Sequence, residues 1–209
     1  MRRHKRSAKS YQRRGPQREP YDFVVIVCEG KKSETFYFEA IKAKYRLSNA
    51  NIRVTSAPGT DPLSIVKYAE KLVAENGYDR AYCVFDRDSH STYDQAIARI
   101  GASLGGVLRA IPSWPCFELW LLLHFKYTTR PFNPVGRKSS GARLLAELQQ
   151  HYPAYKKGSS TAFSDMSARL NEAMRNAGKL AEHNRRCNST NPSTLVHVLV
   201  DYLTKIKEL

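Results

Sequence analysis

The sequence predicts an α/β fold: a mainly parallel sheet flanked by helices, followed by a mostly helical carboxyl-terminal extension. Three observations point there. Residues 23–28 form a near-continuous apolar run rich in β-branched side chains, as a strand buried on both faces requires. Strand-like and helix-periodic segments then alternate as far as residue 111, at the spacing of βαβ units. Beyond Pro115 the strand pattern stops and helical periodicity takes over.

Taken in order, residues 1–20 carry eight Lys or Arg against one acid and are broken by Gly15, Pro16 and Pro20, which predicts a disordered basic arm. The strand at 23–28 leads to a helix over 33–45, with Phe38, Ile41 and Tyr45 at helical spacing. Ser33 suits its N-cap, and Glu34 and Glu39 near the start with Lys42 and Lys44 near the end match the helix dipole. A second strand, 52–57, turns at Pro58-Gly59 to Asp61, an N-cap ahead of Pro62 in the first helical position. The helix that follows, 62–76, buries residues such as Leu63, Ile65, Val66 and Leu72 and stops at Gly77. A third strand at 80–85, a helix at 92–100 and a fourth strand at 106–111 complete the alternation. Residues 116–125 then read as a strongly apolar helix with one acid, Glu118, and further helices are expected at 139–151, 164–182 and 192–207. Asn191 and Pro192 suit the N-cap and first position of the last one. The expected organisation is a basic arm (1–20), an α/β core (21–125) and a basic helical extension (126–209) packed on the core.

Charge is spread unevenly along the 209 residues, whose formal net charge is +15. Residues 21–125 hold twelve basic and twelve acidic side chains, whereas 126–209 hold fourteen basic against six acidic. A neutral core between two basic segments is the pattern of flanks that attract a polyanion and a core that acts on it. No apolar run reaches the roughly 18 to 20 residues that a membrane span needs. No apolar segment follows the amino-terminal arginines, so neither a signal peptide nor a twin-arginine signal is expected, and a cytoplasmic location is. Cys28, Cys83, Cys116 and Cys187 show no CxxC or zinc-finger spacing, which favours reduced thiols. No GxxxxGK[ST] loop occurs, so any ATP dependence has to come from a partner.

Two short acidic clusters carry the chemistry. Glu29-Gly30 closes the first strand, and Asp86-Arg87-Asp88 closes the third. Open α/β sheets bind ligands at the carboxyl ends of their strands. A phosphodiester repels nucleophiles. Mg²⁺ counters this by neutralising nonbridging oxygens and activating water, and it takes hard oxygen ligands, typically one or two carboxylates. Asp86 and Asp88 can present two carboxylates to one ion, with Glu29 completing the site or acting as general acid or base. Gly30 allows a tight turn and close approach of phosphate to the backbone. Lys31, Lys32 and Arg87, beside these acids, suit phosphate charge.

The pairing of Glu-Gly with Asp-x-Asp resembles the Toprim domain of topoisomerases, bacterial primases and OLD-family nucleases. A narrower resemblance covers most of residues 23–209. The segments Glu29 to Phe38, Phe85 to His90, Pro115 to Trp120 through His124-Phe125, and Asn191 to Thr194 together resemble the RloB family. That family comprises Toprim-like prokaryotic proteins often encoded beside an ATPase in phage-defence or restriction loci. The resemblance implies a Toprim-like sheet, and Glu29, Asp86 and Asp88 as metal and catalytic residues with Mg²⁺ or Mn²⁺. It also implies a separate ATPase subunit, with a homo-oligomer left open. Trp114 departs from the pattern, which expects a polar residue before Pro115, usually Asn. Glu118 lies in a shared motif and is either a further catalytic acid or base or a helix-start acid on the macrodipole. His90 and His124 are candidates for phosphate contact or proton transfer, against core or surface roles.

The expected function is a Mg²⁺-dependent nuclease acting on DNA or RNA. A nucleic-acid-binding or regulatory subunit with a non-catalytic Toprim-like fold is the alternative. A topoisomerase would need a nucleophilic tyrosine on a separate domain, a primase would need nucleotide-binding apparatus, and the basic flanks suit a long polyanion better than a small phosphate ester.

Overall fold

The computed structural model describes residues 21–87 and 90–208, so the expected arm and Asp88 lie outside the described residues. Strands β1 (Val24–Cys28), β2 (Ile52–Ser56), β3 (Arg80–Asp86), β4 (Leu108–Trp114) and β5 (Ser193–Thr194) form one sheet in the order β2-β1-β3-β4-β5. The first four are parallel and β5 runs antiparallel on the β4 edge. The helices are α1 (Ser33–Lys44), α2 (Pro62–Asn76), α3 (Tyr93–Gly101), α4 (Glu118–Leu122), α5 (Ser140–His151), α6 (Ala162–Met166), α7 (Leu170–Cys187) and α8 (Val196–Lys205).

Every residue of β1 is buried, and its side chains alternate between two apolar layers as the strand period of two dictates. Val25 and Val27 join Ile65, Val66 and Leu72 of α2 and Ala96 of α3 on one face. Val24, Ile26 and Cys28 face a larger cluster built from α1, α4, α5, α6, α7 and α8. The carboxyl-terminal helices therefore share their apolar core with the sheet. Tyr37 of α1 and Trp120 of α4 centre that layer, with Tyr37 meeting Phe117 and Phe163 edge-on at 5.6 and 5.2 Å between centroids. Among the described residues no helix is long and apolar enough to cross a membrane. All four cysteines are free, three of them buried.

Most element identities follow the expectations, but β5 lies where the start of a helix was expected, and several ends differ for tertiary reasons. Asp61 does cap α2, its Oδ1 accepting the Ser64 amide at 3.1 Å, and Gly77 ends that helix at φ 69°. Ser33 is the first helical residue and not the N-cap of α1; its Oγ accepts the Gly158 amide at 2.9 Å. β4 runs three residues past the expected Ile111, because Pro112 and Ser113 continue the parallel register opposite Phe85 and Asp86. The helix expected over 116–125 holds only five residues as α4, since Asp86 Oδ1 takes the Phe117 amide at 2.8 Å and the chain past Leu122 tightens into turns. The helix expected over 164–182 is α6 and α7, joined by a 3₁₀ turn. Asn191 is not a helix cap. Ser193 and Thr194 pair with Trp114 and Ser113, and α8 begins only at Val196.

Candidate active site

The strand order places the site. β2 lies on one side of β1 and β3 on the other, so the chain reverses its direction of travel across the sheet between β1 and β3. A crevice opens at such a point beyond the strand carboxyl ends. Glu29 follows β1 and Asp86 ends β3, on the two strands that flank it. The Glu29 amide donates to the Val84 carbonyl at 3.0 Å, continuing the ladder. In return the Asp86 amide donates to Glu29 Oε2 at 2.9 Å. One carboxylate is thereby fixed by the backbone of the other.

Two further acids that sequence reasoning treated differently join them. Glu34, read only as a helix-start acid, lies in the first turn of α1 and is buried. A Cβ on Gly30 would collide with the Glu34 carboxylate, which occupies the space the glycine leaves. Gly30 has no left-handed φ, so glycine is needed here for the carboxylate rather than for a turn. Glu118, the candidate from the apolar helix, is buried at the start of α4. Tyr155 donates its hydroxyl to Glu118 Oε1 at 3.1 Å, and Lys157 Nζ lies 3.7 Å from the same oxygen. Glu29, Glu34, Asp86, Glu118 and Lys157 line one cavity of about 440 Å³.

This crowding has an electrostatic signature. Asp86 keeps partial exposure but is packed deeply enough that desolvation, then the charges of Glu29, Glu34 and Glu118, push its carboxyl well above the usual range. Desolvation also raises Glu34 to about 7, with help from Glu118 and Glu29. Burial would lower the Lys157 ammonium, yet the Glu118 charge and its neighbours outweigh it and the net direction is up. Four acids crowded together, with Lys157 beside Glu118 and with Lys31 and Lys32 exposed on the lining, are the kind of donor set whose mutual repulsion a hard divalent cation relieves. Among the described residues no three acid, His or Cys side chains converge tightly enough to hold an ion by themselves. An ion here would have to take waters besides one or two of these carboxylates.

The expected phosphate contacts divide. Lys31 and Lys32 are exposed on the cavity lining. Arg87 is instead held away from the acids, its guanidinium 4.0 Å from the Trp114 ring and 4.8 Å from Tyr93. His90 Nε2 stands 3.9 Å from Glu29 Oε1. His124 is a core residue: fully buried, its Nδ1 3.0 Å from the Trp120 carbonyl, and lowered by desolvation to about 4. Lys157 and Tyr155 were not foreseen. They follow α5 in sequence, some 125 residues from Glu29, and nothing local to them marks the contact.

The family model described as RloB-like protein matches residues 24–203. No curated protein and no solved structure matches the chain.

Proposed function

The chain belongs to the RloB-like family, and on that premise we propose that it is a metal-dependent nuclease, hydrolysing phosphodiester bonds of DNA or RNA. In this reading the fold is Toprim-like and the protein acts in phage defence with a separate ATPase subunit. The observation that carries the reading is the cavity at the reversal point of the sheet. It gathers Glu29, Glu34, Asp86 and Glu118 on a chain whose overall net charge is +15. Mg²⁺ or Mn²⁺, when bound, supplies charge neutralisation at the nonbridging oxygens and a water made acidic enough to attack. Glu29 and Asp86 are the residues to hold it, with Asp88 assigned by family resemblance. Glu29 is pre-oriented by the Asp86 amide, so its carboxylate needs little reorganisation. Glu118, between Tyr155 and Lys157, and Glu34, near 7, are placed to accept or return protons. Lys31, Lys32 and Lys157 offset substrate phosphate charge.

The test is cleavage of labelled DNA and RNA in Mg²⁺, Mn²⁺ or EDTA. Wild type should cut only with metal, and Glu29→Gln or Asp86→Asn should lower the rate by roughly 10²-fold or more. Wild type and variants behaving alike in every condition would end the nuclease reading. A second reading, a non-catalytic nucleic-acid-binding or regulatory subunit, is favoured by one observation. The Asp86 carboxylate already accepts the Phe117 amide at 2.8 Å, a structural use that requires no metal. Salt-dependent binding that survives both substitutions, with no wild-type cleavage, would establish it.

A further inference from the structure

A second cavity of about 470 Å³ opens at the end of β4, within the usual size of a small-ligand site. Its lining includes Trp114, Phe132, Asn133, Arg137, Lys138 and Asn191, and contains no acid. Trp114 ends β4, next to the end of β3, where Ser113 pairs with Asp86. The guanidinium of Arg87, the residue after Asp86, packs 4.0 Å from the Trp114 ring and orients it. The opposite wall is also fixed. Asn191 Oδ1 accepts the Phe132 amide at 3.1 Å, while its Nδ2 donates to the Phe132 carbonyl at 3.2 Å and to Asn133 Oδ1 at 3.1 Å. Arg137 and Lys138 are exposed, and among the described residues neither side chain has an ion-pair partner. A preformed hollow thus joins a partly exposed aromatic ring, on the strand that pairs with the Asp86 strand, to two uncommitted cations.

We propose that this cavity receives one unstacked nucleotide of a single-stranded substrate, its base against Trp114 and its phosphate against Arg137 and Lys138. A base in a duplex is already stacked on both faces, whereas a single strand can splay one base onto an aromatic ring at little cost. The proposal rests on the nuclease reading for its connection to the acids, but its binding prediction does not.

The chain has two tryptophans, and Trp120 is fully buried, so quenching of tryptophan fluorescence by a stacked base reports on Trp114. Full-length protein in EDTA is titrated with short dT and rU oligonucleotides, a duplex of equal length, and free nucleoside monophosphate. Both single strands should quench and bind more tightly than the duplex. Trp114→Ala should weaken single-strand binding by roughly 5- to 150-fold, the range for one stacked base, and leave duplex binding unchanged, while Trp114→Phe keeps most of the affinity. Arg137→Ala and Lys138→Ala, at exposed positions, should each make the salt dependence shallower by about 0.7, the value for one single-strand phosphate contact. Equal losses for single strand and duplex in Trp114→Ala, no loss in either, or quenching by free monophosphate alone would overturn the proposal. Cleavage by wild type without these binding effects sinks the subsite and leaves the nuclease standing. The binding effects without cleavage in any metal do the reverse.

Discussion

Single residues here are tuned by the layer they are pressed into, and two of them give the fold opposing responses to pH. Glu34 has a folded value near 7, above the ordinary 4.5, so its contribution favours the fold below pH 4.5 and is lost as pH rises to 7. Asp86 is raised as well and adds in the same direction. His124 is lowered to about 4 from an ordinary 6.5, so its contribution is present above pH 6.5 and is lost as pH falls to 4. Between 4.5 and 6.5 the slopes oppose. For Glu34 and His124 the contribution is on the order of 3 kcal/mol each at full effect. Glu34→Gln should therefore gain stability relative to wild type at pH 8 and lose it more steeply toward pH 4.5. Urea unfolding in EDTA across pH 4.5 to 8 measures this, and a variant that tracks the wild-type profile would refute it. Glu29 and Asp86 were legible because each ends a readable apolar strand. Glu34 and Lys157 were not, because a helix-start acid and a loop lysine look the same whether or not a cavity gathers them.

At the scale of elements, two similar local signals had opposite outcomes. Asp61-Pro62 and Asn191-Pro192 both have the chemistry of an N-cap followed by a first helical proline. Asp61 keeps its side chain for the helix, accepting the Ser64 amide at 3.1 Å, and also takes the Thr92 hydroxyl at 3.2 Å. The amide of Asn191 is captured by the Phe132 backbone, 59 residues away, and the residues after Pro192 pair with β4. Local chemistry decides a cap only where no distant partner competes for the side chain, and Ser33, held by Gly158, is a second such loss. Strand and helix identities were legible because burial on alternate faces sets their periods; the end of β4 was not, because its register with β3 carries it through a proline. The α2 cap is open to direct measurement. Asp61→Ala should cost about 1 kcal/mol in urea unfolding, and Asp61→Asn only a small part of that. Equal stability of wild type and Asp61→Ala would show that the Ser64 bond contributes nothing net.

For the whole molecule, the charge pattern and the fold combine into one expectation about how a polyanion is held. The extension is not an appendage on a separate core: α5, α7 and α8 complete one apolar face of the sheet, and Lys157 beyond α5 reaches Glu118. Its fourteen basic residues are consequently carried on helices packed into the same core as the acids. The first 20 residues add eight more basic side chains from a segment that precedes β1. Charge of this kind binds phosphate without reading sequence, and each neutralised phosphate contributes about 0.9 to the slope of log affinity against log salt on duplex DNA. Removing residues 1–20 should then weaken binding by a similar factor for every sequence tested and make the salt slope shallower by several units, with the core still folded. Substitutions at Glu29 or Asp86 act at the cavity and should leave that slope near the wild-type value. Titrations at several salt concentrations on two unrelated sequences separate the effects. An unchanged slope after the deletion would mean that the polyanion is held by the folded body alone, whatever the formal charge of the arm.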